Sequence, residues 1–186
     1  MKSETSLRLG ALITLVLLAA FSRLIPHAPN FTAVGAMALF GGAYFSRKSL
    51  ALLVPLLALW LSDILLNNLI YREYYPTFTL AVNPWTYGTF AALVGLGALT
   101  LRKVEPGSVV ATSVLASVIF FLVSNFSVWL GSSAYPQNAT GLMLCYVAGE
   151  PFFWNTLLGD LFYAGLLFGG FELVQRRFPS LAVQRA

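Results

Sequence analysis

Residues 50–71 read LALLVPLLALWLSDILLNNLIY, a run of 22 residues in which Asp63 is the only charge. As a helix rising about 1.5 Å per residue it would reach about 33 Å, enough for a hydrocarbon core about 30 Å thick. Runs of similar character, bounded by charge, Pro or Asn, cover about 7–25, 31–46, 84–101, 108–130 and 151–174. The 31–46 run is short and rich in Gly and Ala, which suits a helix packed against neighbours more than one facing lipid. The pattern predicts an all-α, polytopic membrane protein: one integral domain over 1–186 with six transmembrane helices.

Composition points the same way. The chain is 58% hydrophobic and 10% charged, against about 45–50% and 25% in soluble domains, and that much apolar surface needs lipid as a partner. The net charge of +4 comes as isolated basic pairs between apolar runs, not as a stripe, so nucleic acid is not expected as a partner. The single cysteine, Cys145, leaves no intrachain disulfide and no multi-cysteine metal pattern, and no metal site or resident cofactor is expected. Lys2 and Arg8 precede an apolar stretch, as in a signal peptide, but no small-x-small cleavage site follows, so the first run is read as a retained helix.

Lys and Arg in short loops set orientation. With the N-terminus inside, the inner segments hold Lys2, Arg8, Arg47, Lys48, Arg102, Lys103, Arg176, Arg177 and Arg185, and only Arg23 and Arg72 fall outside. Both termini are therefore expected on the cytoplasmic side. Glu172, one turn before Arg176, reads as a surface pair. The tail after Phe178 is expected to fray, and the Gly165-to-Gly169 spacing permits close helix packing.

Topology converts to depth. Asp63 should lie about 12 Å below the outer end of its helix, with Asn67 one turn above, and Asp160 about 14 Å below Pro151, with Asn155 above it. Asn125 and Trp129 add a third pair near the outside. The inner halves offer mainly hydroxyls such as Thr14, Thr112, Ser113 and Ser117, which bond back to their own helices. Polar groups in a bilayer usually face a bundle interior or a wet cavity, so clustering at one depth predicts an outward-facing pocket. The outer loops would complete it with His27, Asn30, Phe31, Tyr74, Tyr75, Asn83, Trp85, Tyr87, Tyr135, Cys145 and Tyr146, a mixture of aromatics and a few polar groups that suits a small-molecule site.

Each of these residues also has a structural reading. Loop aromatics form interfacial belts. Asp63 and Asp160 could hold helices together, with Arg23 as counter-ion; His27 lies in a turn between Pro26 and Pro29, and Cys145 could be a small buried residue. There is no phosphate-cradling Gly-rich loop and no voltage-sensor arginine series, so accumulation of a substrate would need a partner or an ion gradient.

The segments RLIPHAPNFTAVGAMALFGGAYF (23–45), FFLVSNFSVWL (120–130) and CYVAGEPFFWNTLLGDLFYAGLLFGGFEL (145–173) resemble a bacterial family of small six-helix membrane proteins. That family is similar to the substrate-binding S-components of energy-coupling-factor vitamin transporters, including solitary cobalamin-type members. The resemblance spans Arg23 to Leu173. It implies an S-component-like bundle in the bacterial cell (inner) membrane, with a vitamin or related cofactor, cobalamin among the candidates, bound by the outer loops and uptake energised by a separate module. The Ala-xxx-Ala docking pattern such components carry on their first helix is absent from GALITLVLLAA (10–20). In the cobalamin-type members a cysteine in the outer cavity can meet the cobalt, which here leaves Cys145, with His27 as a second donor.

Two other classes compete. LLGD at 157–160 partly matches the Gly-x-Gly-Asp signature of intramembrane aspartyl proteases, with Leu157 in place of the first Gly and Ser62 before Asp63 where Tyr is expected. A non-transporting scaffold or assembly subunit would need no pocket at all.

Overall fold

The computed structural model of the chain describes residues 6–80 and 83–181. Lys2, Arg185 and the two termini, on which part of the expected orientation rests, lie outside these residues. Among the described residues the structure is helical, with no strand. In chain order the helices are α1 (Ser6–Phe21, prolonged by a 3-10 turn Ser22–Leu24), α2 (Val34–Tyr44), α3 (Lys48–Leu65, prolonged by a π turn Leu66–Ile70) and α4 (Pro84–Thr100). They continue with α5 (Pro106–Gly131), α6 (Ala139–Ala164), a π turn Gly165–Gly169, α7 (Gly170–Arg177) and a 3-10 turn Pro179–Leu181.

Local chemistry explains the starts. Asn83 Oδ1 accepts from the backbone N–H of Trp85 at 3.0 Å and Thr86 at 3.3 Å, and Pro84 needs no partner in the first turn. Glu105 and Ser108 form a reciprocal capping box for α5. Asn138 caps α6 by accepting from Gly141 N–H at 2.9 Å.

Among the described residues four stretches are long and apolar enough to cross a membrane: Ser6–Leu24, Lys48–Ile70, Pro106–Gly131 and Ala139–Arg177. The other two expected spans are shorter. α4 has 17 residues, about 26 Å, and α2 has 11 residues, about 16 Å. Helix α2 is half the thickness of a bilayer and begins at Val34, not 31, so Phe31 lies in the loop before it.

The sixth helix departs most from expectation. It begins at Ala139, not Pro151, and with its π turn and α7 forms one continuous rod to Arg177. Proline is favoured in a first turn, which made Pro151 look like a start; here it sits inside the helix on an exposed face. Cys145 and Tyr146 are therefore helical, not in a loop. Depth is better measured from the basic end: Asp63 is 15 residues past Lys48 and Asp160 is 17 before Arg177, so the two stand about 22 and 26 Å from that end.

Helix α2 is the hub, packing on α4 and also on α3, α6, α1 and α5. From Gly35 to Gly42 every residue is buried. Its crossing with α4 is backbone on backbone: a Cβ on Gly42 would overlap the Val94 carbonyl oxygen and come within 2.8 Å of the Ala98 nitrogen, and one on Gly97 would stand 2.8 Å from Leu39 Cα. Glycine is required there by proximity. At Gly165 and Gly169 a Cβ would meet nothing within 4 Å, so that spacing marks the π turn and not a close contact.

The basic end is tied together through Arg8, which is buried and not a free loop charge. Its guanidinium donates to the carbonyls of Leu181 and Tyr44 and lies 5.4 Å from the centre of the Phe171 ring. Tyr44 OH donates to Glu172 at 2.6 Å, so Glu172 bonds across to α2, where a surface pair with Arg176 was expected. Pro179–Leu181 is not frayed: it forms a 3-10 turn with Leu181 buried.

Candidate functional site

The site lies at the end of the bundle opposite Arg8, Arg47, Lys48, Arg176 and Arg177. Where α1 tightens into its 3-10 turn, Arg23 is carried toward α3. Its Nη1 donates to Ser62 Oγ at 2.6 Å and Asp63 Oδ1 at 2.7 Å. Tyr87 OH on α4 donates to Asp63 Oδ2 at 2.7 Å. Asp63 thus joins three elements, and the counter-ion role of Arg23 is seen directly. The pair is mostly shielded, with side chains 14% and 19% exposed.

After Arg23 the chain turns through 25–33. Phe31 N–H donates to Ala28 O at 3.0 Å, and Asn30 at the third position of this turn has φ 63°. Pro followed by Asn suits a turn needing a left-handed residue there. The reversal feeds directly into α2, whose capping position, Ala33, has no side chain able to cap it.

Asp160, on α6, supplies the cap instead. It is 2% exposed, and its Oδ1 accepts from Ala36 N–H at 3.2 Å while its Oδ2 accepts from Ser117 Oγ at 2.7 Å. A negative group at a helix N-terminus is favourable. Gly35 allows the approach, since a Cβ there would stand 2.7 Å from Asp160 Cγ.

Three adjoining cavities surround these groups. The widest, about 630 Å³, is lined by Asp63, Asn67, Tyr75, Asn83, Trp85, Thr86, Tyr87 and Ser127 among others. A second, about 390 Å³, lies between α5 and α6 and is lined by Asn30, Phe120, Phe121, Asn125, Tyr135, Cys145, Phe152 and Thr156 among others. The third, about 130 Å³, has Arg23, Asn30, Thr32, Gly35, Thr86, Thr156 and Asp160 on its wall. It shares Thr86 with the first cavity and Asn30, Phe120 and Thr156 with the second. Asp63 and Asp160 therefore line neighbouring cavities and not one.

The other candidate residues divide. Asn67, Asn83, Trp85 and Tyr87 gather around the widest cavity, and Asn30, Asn125 and Cys145 around the second. His27, Phe31, Trp129, Tyr146 and Asn155 line none of the three. His27 is within hydrogen-bonding distance of the Ala28 and Arg23 carbonyls, at 2.8 and 3.2 Å; Asn155 Nδ2 donates to Pro29 O at 2.9 Å. Trp129 Nε1 donates to Pro136 O at 2.9 Å, closing the α5–α6 connection, and Tyr146 OH donates to Leu122 O at 2.8 Å. Phe31 packs its ring against Phe162 and Tyr163. Cys145 is 2% exposed, with its Sγ 3.4 Å from Asn125 O.

Sequence reading missed Ser117, Thr86, Thr156 and Thr32. In sequence Ser117 resembles the other inner hydroxyls because it can bond its own helix, which it also does, to Ser113 O at 3.0 Å. No signal within α5 distinguishes it; only the approach of α6 does. Asn68, beside Asn67, holds the segment after α3 by exchanging hydrogen bonds with Thr79 at 2.8 and 2.9 Å.

Fold and site together define an all-helical protein with several membrane-length apolar helices and polar cavities gathered at one end. The chain belongs to a family of unknown function, DUF6580, whose pattern matches residues 3–181. No curated protein and no solved structure matches it.

Proposed function

We propose that this is a six-helix, multi-pass membrane protein with both termini cytoplasmic, which takes up a small molecule through an outward-facing site. The observation that carries this reading is the convergence of Asn67, Asn83, Thr86, Asn30, Asn125 and Thr156, from four helical stretches and a loop, on three adjoining cavities at the end opposite Arg8, Arg176 and Arg177. Aromatic walls with a few placed amides suit a vitamin-like ligand, in keeping with the S-component resemblance, and a partner module or an ion gradient would energise uptake. Native mass spectrometry of gently purified protein tests it: a retained small-molecule mass is expected, lost when Asn67 and Asn83 are both changed to Ala. Protein that is bare across several gentle extractions sinks the reading.

A scaffold role is favoured by a different observation, that both acids are engaged in joining helices. It predicts no retained mass. An aspartyl protease needs two carboxylates sharing a proton, whereas Asp63 spends its oxygens on Arg23 and Tyr87, and Asp160 on Ala36 and Ser117.

The orientation has its own test. In a Cys145→Ser background, Met143→Cys, on the exposed face of α6, should react with a membrane-impermeant maleimide in intact cells. Ser46→Cys should not. Native Cys145 should stay unreactive until the protein unfolds, because it is buried. Labelling at 46 but not at 143 would reverse the orientation.

A further inference from the structure

We propose that the 130 Å³ cavity at Asp160 is a binding site for a small monovalent cation, either a free inorganic ion or the ammonium end of the transported molecule. Among the described residues at this end of the core, Arg23 is the cation within reach, and it is held at 2.7 Å by Asp63. Asp160 is met by neutral donors, the backbone N–H groups of Ala36 and Gly35 and Ser117 Oγ. With both carboxyls ionised, the Arg23, Asp63 and Asp160 group would carry a formal charge of one minus, inside a bundle where an uncompensated carboxylate is costly.

The cavity is built to accept the missing charge. Its wall brings Asn30, Thr32, Thr86 and Thr156, each with a side-chain oxygen, together with Asp160 and with Arg23, whose charge Asp63 already answers. Thr156 Oγ1 donates its proton to Phe152 O at 3.0 Å, which leaves that oxygen to act as an acceptor. Oxygen donors suit a hard cation, and a single carboxylate balances one positive charge. The neighbouring cavities, which share lining residues with this one, offer the route from outside. Seated there, the cation would lie beside both larger cavities, so its occupancy would be felt by whatever they hold. This goes beyond the uptake reading and fails separately from it: a retained ligand with no cation effect overturns only the site at Asp160.

The test is the unfolding temperature of purified full-length protein, titrated with NaCl, KCl or methylammonium chloride against N-methylglucamine chloride at constant ionic strength and pH. Saturable stabilisation by at least one of the three small cations is expected in the wild type. The concentration giving half the effect should rise about tenfold or more in Asp160→Asn, and several-fold in Thr156→Val, which serves if Asp160→Asn does not fold. A response to Na⁺ or K⁺ assigns an inorganic ion; a response to methylammonium alone assigns the ammonium end of the substrate. Equal behaviour of all four salts in the wild type, an unchanged cation effect in Asp160→Asn or in Thr156→Val, or stabilisation by acid with no cation dependence would each overturn the proposal, the last by assigning a proton instead.

Discussion

Replacing Gly42 with leucine is expected to remove nearly all folded protein. The side chain would have to enter the space held by the Val94 carbonyl and the Ala98 nitrogen. Both are backbone atoms of a regular helix, so no rotamer change can make room. Overpacking a core commonly costs about 1–3 kcal/mol where side chains can yield; against backbone, at the hub of the bundle, the cost should be at the top of that range or beyond it. Because most domains have only about 5–15 kcal/mol in hand, the yield of monodisperse protein on size exclusion should collapse. Gly10→Leu is the control, since a Cβ at Gly10 meets nothing within 4 Å, and it should express normally. Wild-type yield from Gly42→Leu would show that α2 and α4 do not cross as closely as this.

Asp63→Asn is expected to have the next largest effect. The substitution keeps shape and an acceptor for Tyr87 but leaves Arg23 shielded beside a neutral amide. Removing one partner of a buried ion pair costs about 3–5 kcal/mol, and the residual exposure of 14% and 19% should bring the loss toward the lower end. Thermal stability and membrane abundance should both fall. Arg23→Gln in the same chain should restore much of the loss, because the uncompensated charge is then gone. If Asp63→Asn alone keeps full abundance and stability, the pair is not what holds α1, α3 and α4 together at this end.

How much of this was legible in sequence differs from element to element. Composition and the apolar runs carried the helical class, because lipid-length runs leave backbone groups no other partner than their own helix. The starts of α4 and α5 were legible through Pro84 and the charged turn at Arg102 and Lys103. The start of α6 was not: Pro151 imitates a first-turn proline, and the true cap, Asn138, looks like any polar loop residue. This error placed Cys145 and Tyr146 in a loop that is in fact helix.

The site shows the same division. That Asp63, Asp160, Asn67 and Asn125 are unusual could be read directly, since a polar side chain in an apolar run is expensive wherever the run ends up. Which partner relieves each of them could not. Asp160 meets Ser117 from 43 residues away and Ala36 from 124 away, and no periodicity along one helix encodes the approach of another. Helical class and the presence of buried polar groups at one end are thus written in the chain locally, because both follow from hydrophobicity and spacing. That Asp63 takes the arginine while Asp160 caps a helix through neutral donors follows from the packing alone, because pairing depends on interhelical distances set by contacts such as that of Gly42 with Val94.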